Sequence, residues 1–170
     1  TANALMINTD GRRFVDEYAF YDWKNTELLK QPNRYCFSFF DAATRDATPG
    51  MLVSGFSPDL EQEVADGIVL KADTLADLAA QMGIPADRFE ATVAKFNEDA
   101  AAGVDSEYGR ALFLVPLETA PFYAFKTFPT MFDTMGGLKI NENAQVVDVW
   151  GDVIPRLYAA PMTAGGVLGE

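Results

Sequence analysis

Histidine does not occur anywhere in the 170 residues. Its absence excludes Ser-His-Asp and Cys-His catalysis within this chain and removes the commonest zinc ligand. Cysteine is almost absent as well: Cys36 stands alone, so no internal disulfide can form. It lies in the apolar run Tyr35-Cys36-Phe37-Ser38-Phe39-Phe40, where a small buried core residue is expected. Basic residues are scarce, 13 Lys and Arg against 25 Asp and Glu, giving a formal net charge of −12. That balance repels nucleic-acid phosphates and anionic membrane surfaces, so neither is expected as a partner. No apolar run reaches the roughly 18 residues of a membrane-spanning helix. No acidic cluster has the spacing of a calcium loop. The chain opens on Thr1-Ala2-Asn3 without an initiator methionine. We therefore expect a piece of a longer protein, whose targeting region cannot be read here.

What is present is enough apolar sequence for a core: 49% hydrophobic against 22% charged residues. The first segment reads as a β-hairpin, with Ala4–Ile7 going out, Asn8-Thr9-Asp10-Gly11 turning and Arg12–Val15 returning. A short helix from Trp23 to about Lys30, capped by Asp22, is expected next, with Pro32 beyond it. Arg34 to Phe40 reads as a strand, and Pro58 to about Ala65 as a helix started by Ser57. The region from Thr44 to Pro58, with two glycines and two prolines, reads as a mobile loop.

The clearest local pattern lies between Lys71 and Gly103. Thr74 and Asp77 resemble a capping box, and Leu75, Leu78, Ala79 and Met82 share one helical face that Gly83 stops. Pro85 opens a second helix in which Phe89, Val93, Phe96 and Ala100 recur at helical spacing until Gly103. This predicts a helical hairpin packed on one face. The last third turns to β: Phe122–Phe128, a hairpin of Leu138–Ile140 with Val146–Val149, and the small-residue strand Leu157–Ala160 running into Gly165-Gly166. Strands at both ends with helices between give an α+β fold class.

Spacing alone completes no active site. Thr134-Met135-Gly136-Gly137-Leu138 and Gly165-Gly166 read either as turns or as places where backbone closely approaches a ligand.

Several blocks taken together are more specific. Asp10-Gly11-Arg12-Arg13-Phe14-Val15-Asp16-Glu17 resembles the "DGRRFVNE" segment of the fumarate reductase and 3-ketosteroid dehydrogenase flavoprotein superfamily. Asp73–Ala79 with Gly83-Ile84, Thr92-Val93 with Phe96-Asn97, Pro121–Ala124, Thr134–Leu138 and Ile154–Ala160 are similar to further segments of that family, in the family's order over nearly the whole chain. The resemblance implies a capping (clamp) domain of a fumarate reductase-type flavoprotein with flanking β segments of the FAD-binding domain. Residues 1–16 would end a first FAD-domain section, 17–130 would be the capping, substrate-facing domain, and 131–170 would begin the return to the FAD domain. FAD is then the cofactor of the complete protein. It is not expected on this piece alone, which has no glycine-rich βαβ turn. The implied partners are the remainder of the FAD domain and a small-molecule substrate with a conjugated or activated C–C bond. The implied chemistry is hydride transfer between flavin and that bond. A cap-like interaction domain without redox activity is the alternative.

The resemblance also supplies site residues. Thr134, Gly136, Gly137, Ala160, Gly165 and Gly166 fall where family members meet the flavin. Tyr21 falls where fumarate reductases carry an arginine acid, and Asp133 where they place a substrate-binding histidine. Both departures remove positive charge, so a dicarboxylate such as fumarate is not the expected substrate. The run Glu17-Tyr18-Ala19-Phe20-Tyr21 is similar to the catalytic-tyrosine segment of ketosteroid dehydrogenases. This makes Tyr21 a candidate proton donor or acceptor, or else a core tyrosine, with Tyr18 taking the outward place if the register slips by three. Pro161-Met162 replace the Gly-Glu or Gly-Asn that usually follows "LYAA".

Overall fold

A computed structural model describes residues 3–48, 55–130 and 136–165. They fall into two units, Thr1–Pro129 and Thr130–Glu170. In the first, strand β2 (Cys36–Asp41) is buried at every position. This explains why apolar residues occupy both faces of it, Phe37 and Phe39 on one and Phe40 on the other, with buried Ser38 satisfied by the Thr127 hydroxyl at 2.7 Å. It is flanked by β1 (Leu5–Ile7) and β4 (Phe122–Thr127), and β3 (Val69–Ala72) follows β4, giving the antiparallel order β1-β2-β4-β3.

Helices α4 (Leu75–Met82) and α5 (Ala86–Ala102) cover one face of this sheet. Leu78, Ala79, Met82, Phe89, Val93 and Phe96 pack there with Leu5, Ile7, Phe37 and Phe39. Each fully buried side chain of this size contributes about 1.5–3 kcal/mol. The other face holds a smaller cluster around Ala4, Phe40, Leu60, Val69 and Tyr123. The helical hairpin forms where the sequence predicts it. The Thr74 hydroxyl accepts the Asp77 N–H at 3.1 Å and donates to its carboxylate at 2.7 Å. Gly83 and Gly103 end the two helices at φ of 70° and 73°, a left-handed conformation that favours glycine. Cys36 is fully buried, and burial pushes its thiol up to about 12, as a core residue requires.

Other expectations are corrected. The turn after β1 closes, with the Asn8 N–H donating to the Arg12 carbonyl at 2.9 Å. Arg12–Val15 nevertheless forms no strand; β1 pairs with β2 instead (Leu5 opposite Phe39, Ile7 opposite Phe37). Helix α1 spans Tyr21–Lys30 with Phe20, not Asp22, at its N-cap, and Asp22 lies in its first turn. Thr44 to Ala47 belongs to a short helix, α2 (Ala42–Ala47), capped by Asp41, whose carboxylate accepts the Thr44 N–H at 2.8 Å. The rest of that expected mobile loop lies partly outside the described residues. Helix α3 (Glu61–Ala65) begins later than expected, with Leu60 at its N-cap. Ser57 works from outside it, donating its N–H to the Glu63 carboxylate at 2.8 Å.

The second unit is a two-stranded sheet of β5 (Gln145–Val147) and β6 (Val153–Tyr158). The expected hairpin of 138–140 with 146–149 closes: Ile140 lies opposite Val146, the Val147 N–H donates to the Lys139 carbonyl at 2.9 Å and the Asn141 N–H to the Gln145 carbonyl at 3.0 Å, while β6 pairs with β5.

Candidate functional site

The motif resembling "DGRRFVNE" builds a buried electrostatic cluster. Arg13, Glu17, Asp105 and Arg110 are all less than 10% exposed, and Arg110 only 1%. Arg13 donates two hydrogen bonds to Glu17 (3.0 and 2.9 Å) and two to Asp105 (3.1 and 2.8 Å). Arg110 reaches Glu17 at 3.3 Å and donates to the carbonyls of Ala4 (3.1 Å), Leu112 (2.9 Å) and Phe113 (2.6 Å). Two cations and two carboxylates balance, which is what lets them be buried together. Phe96 lies under both guanidinium groups, 5.0 Å from that of Arg13 and 5.3 Å from that of Arg110. Burial lowers the Arg110 pKa, with Arg13 adding to the effect, while the Glu17 carboxylate opposes it. Burial also acts to lower Arg13, but Glu17 and Asp105 together outweigh it and raise it. Burial alone would raise Asp105. The hydrogen bonds and charge of Arg13, with backbone N–H groups of Tyr108 and Arg110, hold it down at about 2.

This cluster fixes the segment that leads to Tyr21. Glu17 accepts the Met6 N–H at 3.2 Å, and its own carbonyl accepts from Lys24 at 3.2 Å. Tyr18 is half-buried. Its ring stacks on Phe113 at 5.0 Å with the Arg110 guanidinium 5.0 Å away. Burial raises its phenol pKa, against the charge of Arg110. Tyr21, the first residue of α1, is 72% exposed. The core-tyrosine reading of Tyr21 therefore fails. Glu17, Tyr18, Ala19, Phe20, Tyr21 and Lys24 line an open cavity of about 250 Å³. A larger one, about 470 Å³, lies between the β2–β4 ends and α4; its one charged lining residue is Lys126, and none of the candidate site residues lines it.

Other motif residues hold backbone. Thr92 donates its hydroxyl to the Gly11 carbonyl at 2.7 Å. Gly11 has φ of +78°, and a Cβ there would come within 3.0 Å of the Phe89 nitrogen. Asn97 brackets Leu117, donating to its carbonyl at 3.2 Å and accepting its N–H at 2.8 Å.

In the second unit, Gly137 and Gly165 meet each other. A Cβ on Gly137 would sit 2.5 Å from the Thr163 carbonyl oxygen, and one on Gly165 would sit 2.7 Å from the Gly137 nitrogen. The contact carries the parallel bridge of Leu138 with Ala164, in which Leu138 N–H donates to Thr163 O at 2.8 Å. The close backbone approach foreseen at these glycines is thus made by the chain itself. Gly136 differs: a Cβ there meets nothing within 4 Å, so its backbone is open to an outside group. Ala160 is exposed. Pro161 opens a short 3₁₀ turn, Pro161–Thr163, a position where its missing N–H leaves no hydrogen bond unmade. Asp133, Thr134 and Gly166 lie outside the described residues.

Among the described residues, no group of His, Cys, Asp or Glu could hold a metal ion, and no helix is long and apolar enough to cross a membrane. The family profile for an FAD binding domain matches residues 2–169. The chain belongs to this flavoprotein family. It is 34% identical over 165 residues to an NADH:acrylate oxidoreductase of Vibrio harveyi, covering 97% of this chain and 16% of that protein. Among solved structures, the open conformation of a flavocytochrome c3 fumarate reductase matches at 31% identity and a TM-score of 0.74, covering 98% of this chain and 28% of that one. A 3-ketosteroid delta1-dehydrogenase from Sterolibacterium denitrificans shares the fold, with a TM-score of 0.75 at 22% identity over 96% of this chain and 33% of that one. The chain therefore spans a third or less of each of these proteins.

The sequence pointed to Tyr21 and to the glycines, but it missed Asp105, Arg110 and Lys24. The i,i+4 spacing of Arg13 and Glu17 was a readable signal. Asp105 and Arg110 sit in an aperiodic polar stretch that resembles any solvated loop.

Proposed function

We propose that this chain is the capping region, with flanking segments, of an FAD-dependent oxidoreductase that moves hydride between flavin and an activated carbon–carbon bond. Residues 1–16 lead from the flavin domain, 17–130 form the cap, and 131–170 lead back. The family assignment supports FAD, and the similarity to an NADH:acrylate oxidoreductase supports an unsaturated substrate. When bound, the flavin supplies the hydride donor or acceptor. This chain's contribution is proton transfer and shape. Thr134, Gly136, Gly137, Ala160, Gly165 and Gly166 form the flavin-facing backbone, with the Gly137–Gly165 contact holding it in place. Asp133 disfavours a second carboxylate on the substrate, so fumarate is not the substrate.

The observation that carries this reading is the position of Tyr21. Its phenol is exposed at the rim of a cavity while the preceding segment is fixed by the Arg13–Glu17–Arg110 cluster. An exposed hydroxyl on a rigid base can give or take a proton at the carbon next to the hydride-accepting one. The test is steady-state kinetics of the complete flavoprotein carrying Tyr21→Phe, which removes one oxygen and little packing. Turnover should fall roughly a hundredfold to ten-thousandfold with KM nearly unchanged. Wild-type turnover in Tyr21→Phe would remove this residue from the mechanism.

A further inference from the structure

The cavity beside Tyr21 contains a cation that the proton-transfer reading leaves unused. Lys24 lies one helical turn after Tyr21, with its Nζ 5.0 Å from the Tyr21 ring centroid. It is half-buried, and one of its three N–H bonds is directed to the Glu17 carbonyl at 3.2 Å. Burial lowers its pKa, against the nearby Asp16 and Glu17 carboxylates. Two acids are therefore close, yet neither neutralises it in the manner of an ion pair. The Glu17 carboxylate is taken by Arg13 and Arg110, and Asp16 accepts the Tyr18 N–H at 2.8 Å. Among the residues lining the cavity, Lys24 is the one cation. Phe20, 67% exposed and 6.0 Å from the Tyr21 ring, supplies an apolar wall.

A half-buried ammonium with spare donors, next to a phenol and an apolar ring, suits one anionic oxygen pair attached to an apolar body. We propose that Lys24 is a substrate-anchoring residue, and that its ammonium binds the carboxylate of a singly charged, conjugated unsaturated acid. One cation pairs one carboxylate. A dianion would leave its second charge without a partner in this cavity, and a neutral ester would gain nothing from Lys24. The inference rests on the reading of Tyr21 as the proton-transfer residue of the same cavity, but it concerns affinity where that reading concerns turnover.

The experiment compares the complete flavoprotein with its Lys24→Gln and Lys24→Arg variants. Crotonate and methyl crotonate serve as substrates and reduced methyl viologen as electron donor. Crotonate binding is also measured by calorimetry without donor. Lys24→Gln should raise KM and Kd for crotonate roughly tenfold or more, leave kcat within about twofold, and leave the ester unaffected. Lys24→Arg should restore most of the crotonate affinity. Equal losses for acid and ester, an unchanged Kd for crotonate, or no crotonate binding by the unaltered protein would each overturn the proposal. The two readings separate cleanly. If Tyr21→Phe keeps full turnover while Lys24→Gln weakens only the acid, proton transfer by Tyr21 fails and the anchor stands. The reverse pattern retains Tyr21 and removes Lys24.

Discussion

In the first unit the described residues form a large buried cluster on one face of the central sheet, with α4 and α5, and a smaller one around Phe40, Leu60 and Tyr123 on the other. In the second, the buried cluster is Val146, Ala159 and Ala164, with Ile140 packed against it, and every position of β6 is exposed. The two units also fix their backbones differently. The first uses side chains: Asn97 on Leu117, Thr92 on Gly11, and the four-charge cluster on residues 3–17. The second uses bare backbone, with Gly137 laid against Gly165 and Leu138 bridged to Ala164. Side-chain fixation tolerates relaxation around a lost group, whereas backbone fixation depends on the absence of any side chain.

The contrast can be broken by mutation. The largest loss is expected for Phe96→Ala, which opens the core and removes the ring under both guanidinium groups; it should cost about 3–5 kcal/mol in denaturant unfolding. A loss under about 1 kcal/mol would mean that the charge cluster, and not the ring, sustains that face. Asp105 gives the next effect. Its folded pKa of about 2 lies below the ordinary carboxylate value of 3.8, so its contribution is complete above that value and is lost as pH falls through about 2. The contribution is on the order of 2 kcal/mol. Unfolding measured from pH 6 to pH 2 should show a steep acid limb that flattens in Asp105→Asn; parallel curves for the two proteins would contradict the ion pairing. The smallest effect is expected in the second unit, where Val146→Ala should cost about 1 kcal/mol because so small a cluster can close around the gap. A loss equal to that of Phe96→Ala would erase the distinction between the units.

Those parts of the fold that depend on nearby residues were legible. Helices α4 and α5 carry their own start, stop and apolar face within a few residues of each other, and β2 shows its two-sided burial in the adjacent Phe39 and Phe40, which face opposite sides. Asp22 misled because aspartate favours N-caps, yet Phe20 holds that place and no side chain caps α1. The returning arm of the first turn forms no strand; its Arg13 instead enters the buried charge cluster with Glu17 and Asp105. The candidate site was half legible. Tyr21 stood out through a motif, but the cluster that fixes its approach joins Arg13 to Asp105 across 92 residues, and long-range pairing of charges leaves no local periodicity to read. Lys24 looked like one more charge on a polar helix until its neighbours were known.

The Gly137–Gly165 crossing bears on how any mutational scan of this region should be interpreted. Adding one methyl group at either position drives an atom to within 2.7 Å of main chain on the opposite segment. Both positions would therefore score as severe in any screen, whatever the phenotype selected. Lost colour in an alanine variant at Gly137 would report a strand pushed aside and would not identify a flavin contact. Gly136, with open space around it, is the informative neighbour: a small side chain there leaves the crossing intact, so a change in cofactor affinity at that position would report the ligand itself.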